Sequence, residues 1–129
     1  MRKRGYGKVV LVTTDAGRVP TPGESMFGIA AAGLMFGVRA VAREIARFGV
    51  RLNAVSITVT RDTGTWEQYE TDSVPSEVLT SVFAKIEANA QFGINSPLDV
   101  AEAVYFFASP ASDQVSGATL SVNGGVSFP

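Results

Sequence analysis

The run Lys8-Val-Val-Leu-Val-Thr-Thr14 shows almost no apolar–polar alternation, and that constrains the fold more than any other feature of the chain. A strand with one face in water alternates. A nearly continuous β-branched run suits a strand covered on both faces, as in a parallel sheet. Parallel neighbours cannot be joined by a tight turn and need a long crossover. The sequence supplies one. Asp15-Ala16-Gly17 bounds the strand, Pro20-Thr21-Pro22-Gly23 reads as a loop, and Glu24 to Phe48 follows as a long helix. Its apolar positions Phe27, Ala30, Ala31, Leu34, Val38, Val41, Ile45 and Phe48 fall at helical spacing and are expected to form core. Gly49 is placed to stop that helix, and Arg51 to Thr58 reads as a second buried strand. Strand, helix, strand implies a right-handed parallel crossover.

From Val59 to Pro75 the periodicity disappears, which predicts a surface loop or lid carrying Trp66 and Tyr69. Those two aromatics either face a ligand or anchor the loop. Ser76 to Ala90 predicts a helix. Ser96, Pro97 and Asp99 form an N-cap, a first-turn proline and an early acid that open a further helix through Ala108. Ala118 to Val122 reads as the last strand, ended by the turn Asn123-Gly124-Gly125. With no repeat, low-complexity run or linker, residues 1–129 are expected to form one α/β domain.

Composition removes several kinds of chemistry. The chain has no cysteine and no histidine, which excludes thiol nucleophiles, imidazole bases and the usual zinc ligand sets, so no metal site is expected. Acid–base chemistry is left to carboxylates, lysines and three tyrosines. A net charge of -1, with basic residues scattered beyond Met1-Arg2-Lys3-Arg4, offers no sustained positive face for nucleic acid. The longest charge-free apolar stretch, Met26 to Val38, falls short of the roughly 20 residues that span a bilayer, so a buried core helix rather than a membrane segment is expected. The basic start leads into a strand rather than an apolar leader, so a cytoplasmic location is expected.

Three segments, in order, resemble the C-terminal half of the short-chain dehydrogenase/reductase family, close in pattern to its ketoacyl-reductase-like members. Thr13-Thr14-Asp15-Ala16-Gly17 followed by Phe27-Gly-Ile-Ala-Ala31-Ala-Gly33 is similar to the family's Ser-Ser-x-x-Gly and Tyr-x-x-x-Lys-x-Gly signature. Ala42 to Ala46 with Phe48 to Ser56 resembles the helix end and strand that precede the family's Pro-Gly turn. Asn95 to Ser109, running on to Ser116–Gly125, resembles the closing helix and strand. The resemblance covers nearly the whole chain. It implies the C-terminal part of a Rossmann-type doubly wound parallel sheet, with three strands and flanking helices.

In the family a hydroxyl at the strand end works with a Tyr–Lys pair on the next helix. Four residues apart on one helix face, the ammonium lowers the phenol's pKa and holds the cofactor ribose while the phenol passes a proton. Here the matching positions are Thr14, Phe27 and Ala31, and Thr14 keeps the family's thirteen-residue spacing to Phe27. Thr14 retains a hydroxyl. Phe27 has no proton to give and Ala31 no charge, and loss of a positioned general acid costs about 10² to 10⁴ in rate. Tyr6, Tyr69 and Tyr105 have no lysine four residues later, so no second pair replaces the first. Ile57-Thr58 stands where the resemblance places the Pro-Gly turn beside the nicotinamide.

No Gly-x-Gly-x-x-Gly occurs, so the family's backbone cradle for a pyrophosphate has no counterpart. By the resemblance four upstream strands are missing, which leaves the strand from Lys8 to Thr14 with an unpaired edge. The expectation is therefore a non-catalytic subunit or fragment that binds no cofactor itself. It would associate with itself or with an active paralogue that holds NAD or NADP. Alternatives are a subunit of a dehydrogenase complex whose active site another chain supplies, and a small-ligand module using the old substrate pocket. The resemblance also implies helix-bundle pairing through the long helix, where Gly33 and Gly37 would permit close approach; the alternative is that these glycines pack on the chain's own sheet.

Overall fold

The computed structural model describes residues 1–71 and 76–128. Its centre is a parallel sheet of β1 (Gly7–Thr14), β2 (Val50–Ile57) and β3 (Thr119–Val122), in that spatial order. β1 and β2 pair from Gly7 with Val50 to Thr14 with Ile57, and β2 and β3 from Ala54 with Thr119 to Ile57 with Val122. Among the described residues the α-helices are, in chain order, α1 (Ser25–Ile45), α2 (Gly64–Glu70), α3 (Glu77–Asn89) and α4 (Pro97–Ala108). The α/β architecture and the crossover from β1 through α1 to β2 agree with the sequence reading.

β2 is buried along both of its alternating sets of side chains. Leu52 and Ala54 meet Val38 and Ala42 of α1, with Val9, Leu11 and Ile45 packed around them. The opposite set includes Asn53 and Val55, on the side where α4 and the turn after it lie. Asn53 is satisfied there, its amide donating to the Val115 carbonyl and its oxygen accepting from the Ala118 N–H. A buried amide that makes both bonds holds a loop to the sheet without an unsatisfied polar group.

α1 differs from the expected core. Its buried stripe is Ala31, Met35, Val38 and Ala42, whereas Phe27, Leu34 and Val41 are exposed together with Met26, Ile29 and Phe36. The physical reason is that α1 carries apolar residues around most of its circumference and has only one sheet to pack against. Helical spacing identifies apolar stripes but not which of them the sheet will cover. Ser25–Phe48, including the tight turn that extends α1, is also long and apolar enough to cross a membrane by length and composition alone. A charge-free length misses this, because Ser25–Phe48 runs on past Arg39 through Arg43, Glu44 and Arg47. One stripe of this helix is nonetheless committed to the sheet.

Within the segment expected to be an unstructured loop, residues 64–70 form α2, started by Thr63, whose hydroxyl accepts from the Trp66 N–H. The remainder of that loop reading, residues 72–75, lies outside the described residues. α4 begins as expected, with a reciprocal capping box between Ser96 and Asp99 and Pro97 in its first turn. At the other side of the sheet, β1 pairs only with β2 among the described residues, and Val12 is 51% exposed.

Candidate functional site

β1 and β2 end side by side at Thr14 and Ile57, and the space above these ends is the main candidate site. Thr14 accepts from the Ala16 N–H through its hydroxyl oxygen, which starts a tight turn over Asp15–Gly17. That turn presses onto the start of α1. A Cβ on Gly17 would stand 2.7 Å from the Ala32 nitrogen, and one on Gly28 would stand 2.8 Å from the Ala16 carbonyl oxygen. Only residues without a side chain allow so close an approach of two backbones. The result fixes the strand end, the Pro20–Pro22 loop and the helix start as one wall.

Together with α3 this wall lines an open cavity of about 700 Å³. Thr14, Ile57 and Thr58 all line it, so three of the positions singled out in the sequence converge. Phe27 and Ala31 do not line it. The expectation that Phe27 and Ala31 form an ordinary core pair holds for only one of them. Ala31 is 2% exposed beneath Gly17, but Phe27 is 69% exposed in the first turn of α1, beyond the part of the helix that the sheet covers. Neither side chain contains a group that can exchange a proton.

Trp66 and Tyr69 do not line the cavity either. Trp66 is buried and lies 5.2 Å from the Tyr69 ring, which in turn meets Phe83 edge-on at 5.3 Å. Of the two roles open to them, these contacts support anchoring: they hold α2 to α3. The Tyr69 hydroxyl donates to Glu87 at 3.1 Å. Desolvation, and then the hydrogen bond and charge of Glu87, hold that phenol above its ordinary pKa and make it a poor proton donor.

Two acids that the sequence reading left unassigned also line the cavity. Asp15 is 3% exposed, and its carboxylate accepts from Ser56, from Ser121 at 3.3 Å, from the Asn123 amide at 2.6 Å and from Ser127 at 3.3 Å. No cation pairs with it among the described residues; Arg18 donates instead to the Ser121 hydroxyl and the Thr119 carbonyl. Asp15 thus ties all three strand ends and the C-terminal segment together. Its sequence signal is an acid standing directly at the end of an apolar strand. Glu24 sits at the start of α1 without capping it, and burial pushes its carboxyl above the usual range. Among the described residues no group of three or more potential metal ligands occurs.

For a dinucleotide the fit is poor. No Gly-x-Gly-x-x-Gly follows a strand in this sequence, and the position at which the resemblance places a lysine for the ribose is a methyl group buried under backbone.

The model of the enoyl-(acyl carrier protein) reductase family matches residues 1–127. The chain is 31% identical over 126 residues to a 3-oxoacyl-(acyl-carrier-protein) reductase of Vibrio cholerae serotype O1, covering 98% of this chain and 48% of that protein. It is 31% identical over 120 residues to a (3R)-3-hydroxyacyl-CoA dehydrogenase of Canis lupus familiaris, covering 93% of this chain and 43% of the relative. The chain therefore spans about half the length of the curated relatives it matches. Among solved structures, a 7 alpha-hydroxysteroid dehydrogenase complexed with NADH and 7-oxo glycochenodeoxycholic acid superposes with a TM-score of 0.82 at 25% identity, covering 97% of this chain and 46% of that one. An NADPH-bound short-chain oxidoreductase of Pseudomonas aeruginosa PAO1, described as containing an atypical catalytic center, gives 0.78 at 29% identity, with coverage of 95% and 46%.

Proposed function

Since the chain belongs to the short-chain dehydrogenase/reductase family, we propose that it is a non-catalytic member: a subunit or fragment that contributes fold and contact surface rather than chemistry. The carrying observation is the pair Phe27 and Ala31, which put a benzyl and a methyl group where the family puts its proton donor and its cation. The Thr14 hydroxyl is the one matching group that remains, and a lone alcohol of ordinary acidity supplies little acid catalysis. This chain holds no NAD or NADP in our reading, which the buried methyl of Ala31 and the changed residues Ile57 and Thr58 support.

The surfaces left uncovered favour association. α1 carries Met26, Phe27, Ile29, Leu34 and Phe36 into solvent, and a Cβ added at Gly33 or Gly37 would meet nothing within 4 Å, so these glycines do not pack on the chain's own sheet. A helix face so apolar suits pairing with a second copy or with an active paralogue. The edge of β1 that no strand pairs with among the described residues favours the second reading, in which another chain supplies the nucleotide-binding half and the active site of an NAD(P)-dependent dehydrogenase. We place the protein in the cytoplasm, with no nucleic-acid or membrane partner.

The test is titration of the isolated chain with NADH and NADPH followed by fluorescence, an assay for ketone reduction, and the intact mass of the natural protein with any co-purifying chain. No cofactor binding and no turnover are expected. Micromolar binding accompanied by turnover would overturn the non-catalytic reading, and co-purification with a paralogue bearing Tyr and Lys at the two positions would select the complex.

A further inference from the structure

Glu24 lines the cavity above β1 and β2 with a carboxyl that, among the described residues, has neither a hydrogen-bond nor an ion-pair partner. Its surroundings are mostly apolar. Val19, Ile57, Val82, Phe83 and Ile86 contribute to the same walls. A carboxylate drawn partly out of water without a partner loses hydration that nothing replaces. The other charged groups on the lining differ from Glu24. Asp15 brings a second carboxylate, satisfied entirely by neutral donors, while the one basic side chain on the lining, Lys85, is solvent-exposed. The cavity thus combines a mostly apolar body with a carboxylate at Glu24 that is free to take a new bond. Its volume of about 700 Å³ is that of a small-molecule site.

We propose that this cavity receives an amphipathic monovalent ammonium ion, the charged head against Glu24 and the alkyl body against Val19, Ile57, Val82 and Phe83. Three features distinguish this ligand class from the alternatives. A carboxylate ligand placed against Glu24 would meet it with like charge. A neutral alcohol fills the same volume but leaves the Glu24 charge without a counterion. An alkylammonium supplies N–H donors and positive charge together, and charge-assisted bonds of this kind are roughly twice as strong as neutral ones. A bound cation would also favour the ionised form of Glu24, which burial opposes. The inference rests on the cavity still serving as a small-ligand site, and it is independent of whether the family's reductase chemistry survives.

The experiment is calorimetric titration of the full chain with three probes of one chain length: n-octylammonium, 1-octanol and octanoate, followed by the same series on Glu24→Gln. We expect n-octylammonium to bind at least about tenfold more tightly than 1-octanol, octanoate to bind least, and Glu24→Gln to abolish the advantage of ammonium over alcohol. Equal affinities for ammonium and alcohol would overturn the proposal while leaving the cavity a ligand site. Absence of binding by all three would overturn both. If Glu24→Gln does not fold, the ranking of the three probes on the unaltered chain decides.

Discussion

The Lys8 ammonium lies 2.8 Å from a carboxylate oxygen of Asp113, joining the beginning of β1 to the turn that follows α4. The lysine side chain is almost completely buried and also donates to the Ser112 hydroxyl at 3.1 Å and to the Ser109 carbonyl. Lys8→Ala removes a charged donor with three partners and is expected to lower stability by about 2 kcal/mol in urea unfolding. The Lys8 hydrogen bond, together with the positive charge of Lys8 and Arg51, holds the Asp113 carboxyl below its ordinary value of 3.8. A lowered carboxyl stabilises the fold above 3.8, and that contribution is lost as pH falls through the folded-state value. Asp113→Asn should flatten this acid limb, as read from unfolding midpoints between roughly pH 5 and pH 2.

Glu24 has the opposite sign. Burial raises its carboxyl above 4.5, so its protonated form is favoured in the fold and stability declines as pH rises through the folded-state value. Glu24→Gln removes the titration and should leave the folded chain more stable, relative to the unaltered protein, above that value than below 4.5. Paired denaturant curves at about pH 4 and pH 7 measure the difference.

Restoring the family residues should not restore chemistry. Phe27 is exposed, so Phe27→Tyr is expected to change stability by less than about 0.5 kcal/mol. Ala31 lies beneath the Gly17 backbone, and Ala31→Lys is expected to cost about 1 to 3 kcal/mol through crowding. The double variant should still show no ketone reduction, because this chain has no phosphate loop. Turnover by it would show that the nucleotide is held by other means.

Two glycines on or beside α1 should respond in opposite directions. Gly17→Ala forces a methyl into the Ala31–Ala32 backbone and should destabilise the chain by about 1 to 3 kcal/mol. Gly33→Ala meets nothing within 4 Å and gains helix propensity, so the isolated chain should become more stable by about 0.5 to 1 kcal/mol. If α1 is a pairing face, the same methyl separates the partners. Sedimentation velocity should then show weaker self-association for the more stable variant.

Asp15→Ala removes the acceptor for donors from Ser56, Ser121, Asn123 and Ser127. Loss of a buried hub of this kind is expected to cost about 2 to 4 kcal/mol. Amide exchange should accelerate first at Gly125 and Val126, whose N–H groups are held by Asn123.

The strands and the crossover could be read from the sequence because a run such as Val9 to Val12 has few alternatives, and Ser96 with Pro97 and Asp99 marks a helix start through local bonds alone. The buried face of α1 could not. Phe27 and Val38 are both apolar at helical spacing, and their exposure is decided by where β2 ends, a long-range fact. α2 was hidden because seven residues with only two aromatics, Trp66 and Tyr69, give too short a period to detect. For the site, family spacing located Thr14, Ile57 and Thr58. Asp15 and Glu24 needed three dimensions, since an acid's neighbours across the sheet leave no trace in its own segment.

The β1–β2 ladder also governs how the chain must assemble. Each of its pairs joins residues separated by the whole of α1, so loop closure comes before reward and the sheet is expected to form slowly. During that interval, and afterwards along the side of β1 that no strand pairs with among the described residues, a short valine-rich segment presents hydrogen-bonding backbone to any similar strand. Yield on expression should therefore fall as synthesis outpaces capture by a partner. Co-expression with a chain that caps β1 should recover soluble material without altering a single residue of this one.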